Sequence, residues 1–181
     1  MTANVSLWTE LRRFVGFTDD DAANLRELAP IFAEHGAAIT DAFYAKLAET
    51  PDTAPLIEGR VDALKQTHLR WMSELFTGEY GEAYLENRWR IGLTHVRVGV
   101  KPWWVEAVVS FLRAAVVDLL EQTVADPARR SACAQSLLRL LDLDLMVINL
   151  AYGDERLDRL SNFTGMSRKL IERCVLQASK K

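Results

Sequence analysis

Cysteine is nearly absent from this 181-residue chain: Cys133 and Cys174 stand far apart, with no metal-type spacing. Paired-cysteine zinc sites and disulfide frameworks are thereby excluded, and two such thiols read as buried or half-buried residues of a cytoplasmic protein. Glycine (9) and proline (5) are also few and fall mostly between periodic segments. No glycine loop cradles a phosphate, no G-x-S-x-G exposes a nucleophile, and no two histidines share the i, i+4 spacing of a zinc helix, so an ordinary hydrolase reading has little support. A run of about 18 uncharged apolar residues is missing, and with it the means to span a membrane. The opening MTANVSLWTELRRFVGF sets Glu10, Arg12 and Arg13 where a secretory signal needs its apolar stretch, so no leader is expected. A net charge of -3 gives no general attraction to nucleic acid or anionic membranes, leaving only a local basic patch as an electrostatic route.

Apolar residues make up 49% and charged residues 26%, enough for one folded domain with a full core. Two-residue alternation with β-branched enrichment is not sustained anywhere, so strands are not expected. Helical spacing is. Val5 to Phe14 places Leu7, Trp8, Leu11 and Phe14 on one side. Thr18 caps a second helix whose first turn holds Asp19, Asp20 and Asp21. That helix is expected to run to His35, with a break at Gly36 and a new helix over 37–49. Thr50-Pro51 and Ala54-Pro55 mark an irregular stretch. Further helices are expected over 57–76, 82–96 and 102–124, with Pro102 in the first turn of the last. Asp126-Pro127 reads as cap and first turn of a long final helix that passes Tyr152. The sum is about seven helices in an all-α fold. Over 105–120 and 137–152 the apolar residues cover more than the single stripe a surface helix needs. Either these helices pack on a second subunit as well, or they are deeply buried. After Gly153 the chain becomes charged, with Leu157, Leu160, Phe163, Leu170, Ile171 and Val175 at approximate helical spacing. This is an amphipathic linker, the start of a coiled coil, or a solvated C-terminal helix.

Three histidines could carry chemistry. His35, beside Gly36 at an expected helix end, suits a structural or surface role. His68 lies on the apolar face of its helix, one turn after Leu64. It reads as a core histidine, an iron ligand, or a hydrogen-bond partner of a cofactor carboxylate. His95, near the end of a helix in RIGLTHVRVGV, is ambiguous by itself, since no neighbouring Cys or carboxylate completes a metal cluster.

The surroundings of His95 are more specific. WRIGLTHVRVGVKPWWVEAV resembles the proximal region of the sensor globins, the family of globin-coupled sensors and protoglobins. There a helix ends in a histidine, followed by Arg, Ile/Val-Gly and an aromatic pair opening the next helix. Here these are His95, Arg97, Val98, Gly99, Trp103 and Trp104. LKQTHLRWMSELFTGEYGEAYLENR resembles the family's distal helix and the turn after it. The resemblance covers roughly residues 5–155. It implies a globin-like fold with an extra N-terminal helix, long C-terminal helices forming a dimer bundle, and one haem b.

On that resemblance, His95 is the metal ligand, a neutral imidazole on iron that leaves the sixth position open. Its other ring nitrogen should donate to a carbonyl or side chain. Tyr44 in DAFYAKL matches the distal tyrosine, whose phenol donates to bound O2. Leu64 matches the position over the iron, where it excludes water and donates nothing. Phe43, His68, Trp71 and Trp104 complete the cofactor-binding set, with Leu75 and Trp89 as further lining and Arg97 as a propionate partner. The domains are a sensor globin over 1–155 and a helical extension or linker over 156–181. The expected function is a non-enzymatic O2 sensor, with CO and NO as further ligands. It would act as a homodimer on an output domain outside this chain. A haem enzyme, such as a nitric oxide dioxygenase or a peroxidase-like globin, is the runner-up. A cofactor-free helical dimerisation domain is the third reading.

Overall fold

The computed structural model describes residues 4–178, and among them every regular element is a helix. Helix α1 (Val5–Phe14) starts where the Asn4 side chain accepts from Leu7 N–H at 3.0 Å, and it buries Trp8. Helix α2 (Asp19–Glu49) starts at the expected cap, with Thr18 N–H donating to Asp21 at 2.8 Å. It then runs through Gly36 without a break, so the expected division into two helices is corrected. Glycine in a helix interior costs about 1 kcal/mol relative to alanine. Here packing offsets that cost: a Cβ on Gly36 would lie 2.9 Å from the Met72 sulfur, so the glycine lets another helix approach.

The helix expected over 57–76 is also different. A single turn, α3 (Ala54–Ile57), is separated from α4 (Val61–Glu74) by Gly59, whose φ of +73° turns the chain. Helix α5 (Glu82–Val98) ends at Gly99, in the left-handed conformation, with Val100 N–H donating to His95 C=O at 3.0 Å. Helix α6 (Pro102–Thr123) has proline in its first turn. Helix α7 (Pro127–Thr164) is capped by Asp126, which accepts from Ala128 N–H at 3.1 Å.

Helix α7 is the axis of the molecule. At 38 residues it is about 57 Å long, and α2, α5 and α6 all pack on it. Leu137, Leu140, Leu141, Leu143, Val147 and Ala151 are buried, and Leu145 and Met146 pack on the core at its edge. A surface stripe would leave half of them in water. The apolar excess of 137–152 is thus mostly absorbed within one chain, with Leu150 exposed. Gly153 lies inside α7, which continues to Thr164; Gly165, at φ +70°, then reverses the chain. Helix α8 (Arg168–Ala178) folds back on α7, burying Ile171 and pairing Arg168 with Asp154 and Asp158.

Candidate functional site

Two groups of residues flank the start of α6. The first is built by α2, α3 and α4. Phe43, Tyr44 and Ile57 are buried together, with Leu47, Val61 and Leu64 against them and Val108 and Phe111 of α6 beneath. His68 lies within this group: its ring centroid is 5.0 Å from Phe43, 6.1 Å from Tyr44 and 5.2 Å from Trp71. The spacing explains the assembly, since Leu64, His68 and Trp71 stand at i, i+4 and i+7 on one face of α4. Burial pushes the Tyr44 phenol up to about 12, so it keeps its proton at any physiological pH. Burial pushes His68 down to about 4, so its ring is neutral at pH 7. His68 Nδ1 shares a hydrogen bond of 2.9 Å with the buried Thr40 hydroxyl, while Nε2 is buried without a partner.

The second group surrounds His95. Val105 of α6 is buried with Ile148 and Tyr152 of α7, and Ile91, Val96 and Val100 pack against them. His95 Nδ1 donates to the Ile91 carbonyl, one turn back, at 2.8 Å. A carbonyl can only accept, so the proton is on Nδ1 and the lone pair is on Nε2. Burial lowers the His95 pKa, opposed by the Ile91 carbonyl, so the neutral form dominates at pH 7. A neutral imidazole with one nitrogen held by a carbonyl and the other carrying a lone pair is prepared to bind a metal.

The first turns of α6 thus reach from the Tyr44 group to the His95 group. Helices α4 and α5 themselves meet where Arg88 pairs with Glu74 at 2.5 Å. From that junction α4 leads away along α2, and α5 leads away along α7. Leu64 and His95 sit on the outgoing arms. Trp104 lies in the first turn of α6, with its indole N–H buried and unpartnered.

Phe43, Tyr44, Leu64, His68 and Trp71 therefore come together in one cluster, while His95 is bonded to Ile91, which packs on the separate Val105, Ile148 and Tyr152 group. Trp71 also looks away from the cluster, donating its indole N–H to Asp144 at 3.1 Å. Leu75 belongs to the main core. Trp89 lies against α1 and α7 with Trp8 and Leu11, because six residues before His95 is about 120° round the helix. Arg97 is exposed at the end of α5.

Sequence reasoning missed Arg88 and Asp144, both buried. Their ion pair spans 2.8 Å between Arg88 Nε and Asp144 Oδ2, and Asp144 also accepts from Tyr84 O–H at 2.7 Å. Burial raises the Asp144 pKa, and the Arg88 guanidinium opposes it. Arg88 is held well above its ordinary range, its charge favoured by Asp144 against the desolvation it suffers. The available signal was spacing: Arg88 and His95 stand at i and i+7, on one side of their helix.

A family model described as Protoglobin matches residues 5–158. The chain belongs to the protoglobin family. It is 28% identical over 159 residues to the heme-based aerotactic transducer HemAT of Halobacterium salinarum. That match covers 81% of this chain and 32% of the transducer, so the chain spans about a third of that relative's length. The globin domain of the Geobacter sulfurreducens globin-coupled sensor is 30% identical, with a TM-score of 0.77 over 80% of this chain and 96% of that one. The ferric globin domain of E. coli DosC matches with a TM-score of 0.68 over 80% of this chain and 98% of that one. At 17% identity this last likeness bears on the fold alone. The all-helical, globin-like expectation is met; no helix among the described residues is long and apolar enough to cross a membrane.

Proposed function

We propose that this chain is the gas-sensing globin domain of a haem-based sensor, binding O2 reversibly at a haem b held by His95. The observation that carries the reading is the state of the His95 ring, with Nδ1 donating to Ile91 at 2.8 Å and the lone pair on Nε2. The haem fits the residues present for a second reason. His68 Nε2 and Trp104 Nε1 are buried and unpartnered, and both belong to residues placed in the haem-binding set. An orphaned buried polar atom costs about 1–3 kcal/mol, a cost relieved where a bound group supplies a hydrogen-bond or coordination partner. The HemAT and globin-coupled sensor relatives support the same reading.

When bound, the haem supplies an iron whose sixth position takes a diatomic ligand. The protein does the rest. His95 holds the group from one side. Tyr44, a phenol at neutral pH, donates a hydrogen bond to a polar ligand, and Leu64 keeps water out. Such a hydrogen bond favours O2 over CO, whose outer atom is less polar. His68 is the one internal competitor: if its Nδ1 donates to Thr40, Nε2 offers a lone pair. We read the domain as a binding module and not an enzyme. It is cytoplasmic, acts as a homodimer through the outer faces of α6 and α7, and signals to an output domain in the manner the HemAT relative's name as a transducer suggests.

The test is the absorption spectrum of the haemin-reconstituted chain in its ferric, ferrous and O2-exposed forms. A stoichiometric Soret band and a long-lived O2 complex are expected. Rapid autoxidation with turnover by a reductase would favour the haem enzyme. An apoprotein that folds and ignores haemin would leave a helical dimerisation domain. Sedimentation equilibrium decides the dimer.

A further inference from the structure

A fully buried arginine loses all its hydration, and an aliphatic residue would fill the same seam at less cost. Arg88 is nevertheless 0% exposed. Its charge is met by two carboxylates, the buried Asp144 of α7 at 2.8 Å and Glu74 of α4 at 2.5 Å. The guanidinium also lies 4.0 Å from the centroid of the Tyr84 ring. Asp144 accepts from Tyr84 and Trp71 as well. A single carboxylate thus gathers α4 and α5 onto the central helix.

One turn further along α5, Gly92 meets the same helix. A Cβ there would lie 2.6 Å from the Ala151 Cβ and 2.9 Å from the Ile148 carbonyl oxygen. Helices α5 and α7 are therefore in backbone contact at this point. Arg88, Gly92 and His95 stand at i, i+4 and i+7 and share one stripe of α5. Its first two positions are pinned to α7. His95 follows Gly92 by about 4.5 Å along the axis, and its ring is bonded to the carbonyl of Ile91, the residue just before Gly92. A helix is stiff over one turn, so a displacement at the seam reaches the imidazole.

We propose that Arg88, Asp144 and Gly92 are positioning residues for His95. The buried ion pair fixes the rotation and height of α5 on α7, and Gly92 fixes its distance. Together they set where His95 Nε2 is presented to the iron. The inference rests on His95 being the proximal ligand. It differs from a purely stabilising role in one measurable respect. A pair that only stabilises lowers the melting temperature but leaves the iron–histidine bond unchanged in molecules that remain folded.

The experiment is resonance Raman spectroscopy of the iron–histidine stretching band in the ferrous, ligand-free, haem-reconstituted full chain, with haem loss to excess apomyoglobin measured in parallel. Asp144→Asn, Arg88→Lys and Gly92→Ala are compared with Asp21→Asn. That control weakens the Ser136 and Arg139 contacts between α2 and α7 without touching α5. The band is expected to move in Asp144→Asn and Gly92→Ala, and to move less in Arg88→Lys, which keeps the charge. Haem loss should become about tenfold faster in the first two. In Asp21→Asn the band should keep its wild-type position. Should Asp144→Asn fail to fold, Gly92→Ala, which alters no charge, decides. An unmoved band in every haem-loaded variant overturns the inference, as does an equal movement in Asp21→Asn. Failure of the underlying haem reading looks different: the wild-type chain itself shows no Soret band, and both fall together.

Discussion

The His95 side and the Tyr44 side of this protein are built from different materials. On the His95 side, α5 lies on α7 with a glycine at the contact, a buried ion pair one turn away, and Tyr152 O–H donating to Val100 C=O at 2.9 Å beyond the histidine. Directional bonds and backbone contact leave that helix one position. On the Tyr44 side, rings of Phe43, Tyr44, His68 and Trp71 meet at centroid distances of 4.7–6.1 Å. His68 is held by a hydrogen bond to Thr40. Aromatic contacts of this kind are worth about 0.5–1.5 kcal/mol each and tolerate small shifts. A rigid side that holds a group and a softer side that accommodates what binds to it is a sensible division for a sensor, because a response needs one element that yields.

The two sides should differ most at His95 itself. His95→Ala should abolish stoichiometric haem binding, read as loss of the Soret band, whereas Tyr44→Phe should retain it; equal loss in both would erase the distinction between holding and accommodating sides. Next in size is the ion pair. Asp144→Ala removes the buried partner of the Arg88 charge and leaves it with the half-buried Glu74 alone. It should cost about 3–5 kcal/mol in urea unfolding, far more than any single truncation in the aromatic cluster's hydrogen bonding. A cost below that of Thr40→Val would show the rigid side to be no more than packing.

Tyr44→Phe tests the softer side. Losing a charge-assisted hydrogen bond of about 1.5–3 kcal/mol should speed O2 release roughly ten- to a hundredfold, with a smaller change for CO in the same stopped-flow experiment. An unchanged O2 release rate would remove Tyr44 from the pocket.

The fourth test uses pH. His68 has a folded pKa of about 4, below its ordinary 6.5, because burial disfavours the cation. The unfolded chain therefore binds more protons between these values, and stability is lost as pH falls from 6.5 toward 4. The loss should be on the order of 2 kcal/mol by urea titration, and His68→Gln should flatten that part of the curve. A curve of the same slope in the variant would assign the acid sensitivity to other groups. Smallest of all, Thr40→Val should cost about 1 kcal/mol, through the bond to His68 Nδ1.

Much of this was legible in one dimension. Helix caps are local chemistry: Thr18 before three aspartates, Pro102 in a first turn, and Asp126-Pro127 each mark a helix start that the structure keeps. Apolar residues at three- and four-residue spacing put Leu64, His68 and Trp71 on one face before any tertiary information. Glycine was the harder sign to read. At Gly99 and Gly165 a positive φ ends a helix, while at Gly36 the same residue sits mid-helix under Met72. Nothing local distinguishes them, since the difference lies in a neighbour from a distant part of the chain.

Local chemistry marked most helix starts and the apolar faces, because each follows from contacts within a few residues. Packing between distant segments is what brings Arg88 of α5 to Asp144 of α7 and Thr40 to His68, and what covers most of the apolar excess of α7 with its own chain. A buried charge is stable only with its partner in place. That partner is 56 residues further along the chain, brought near by the packing of α5 and α7 and by no local rule.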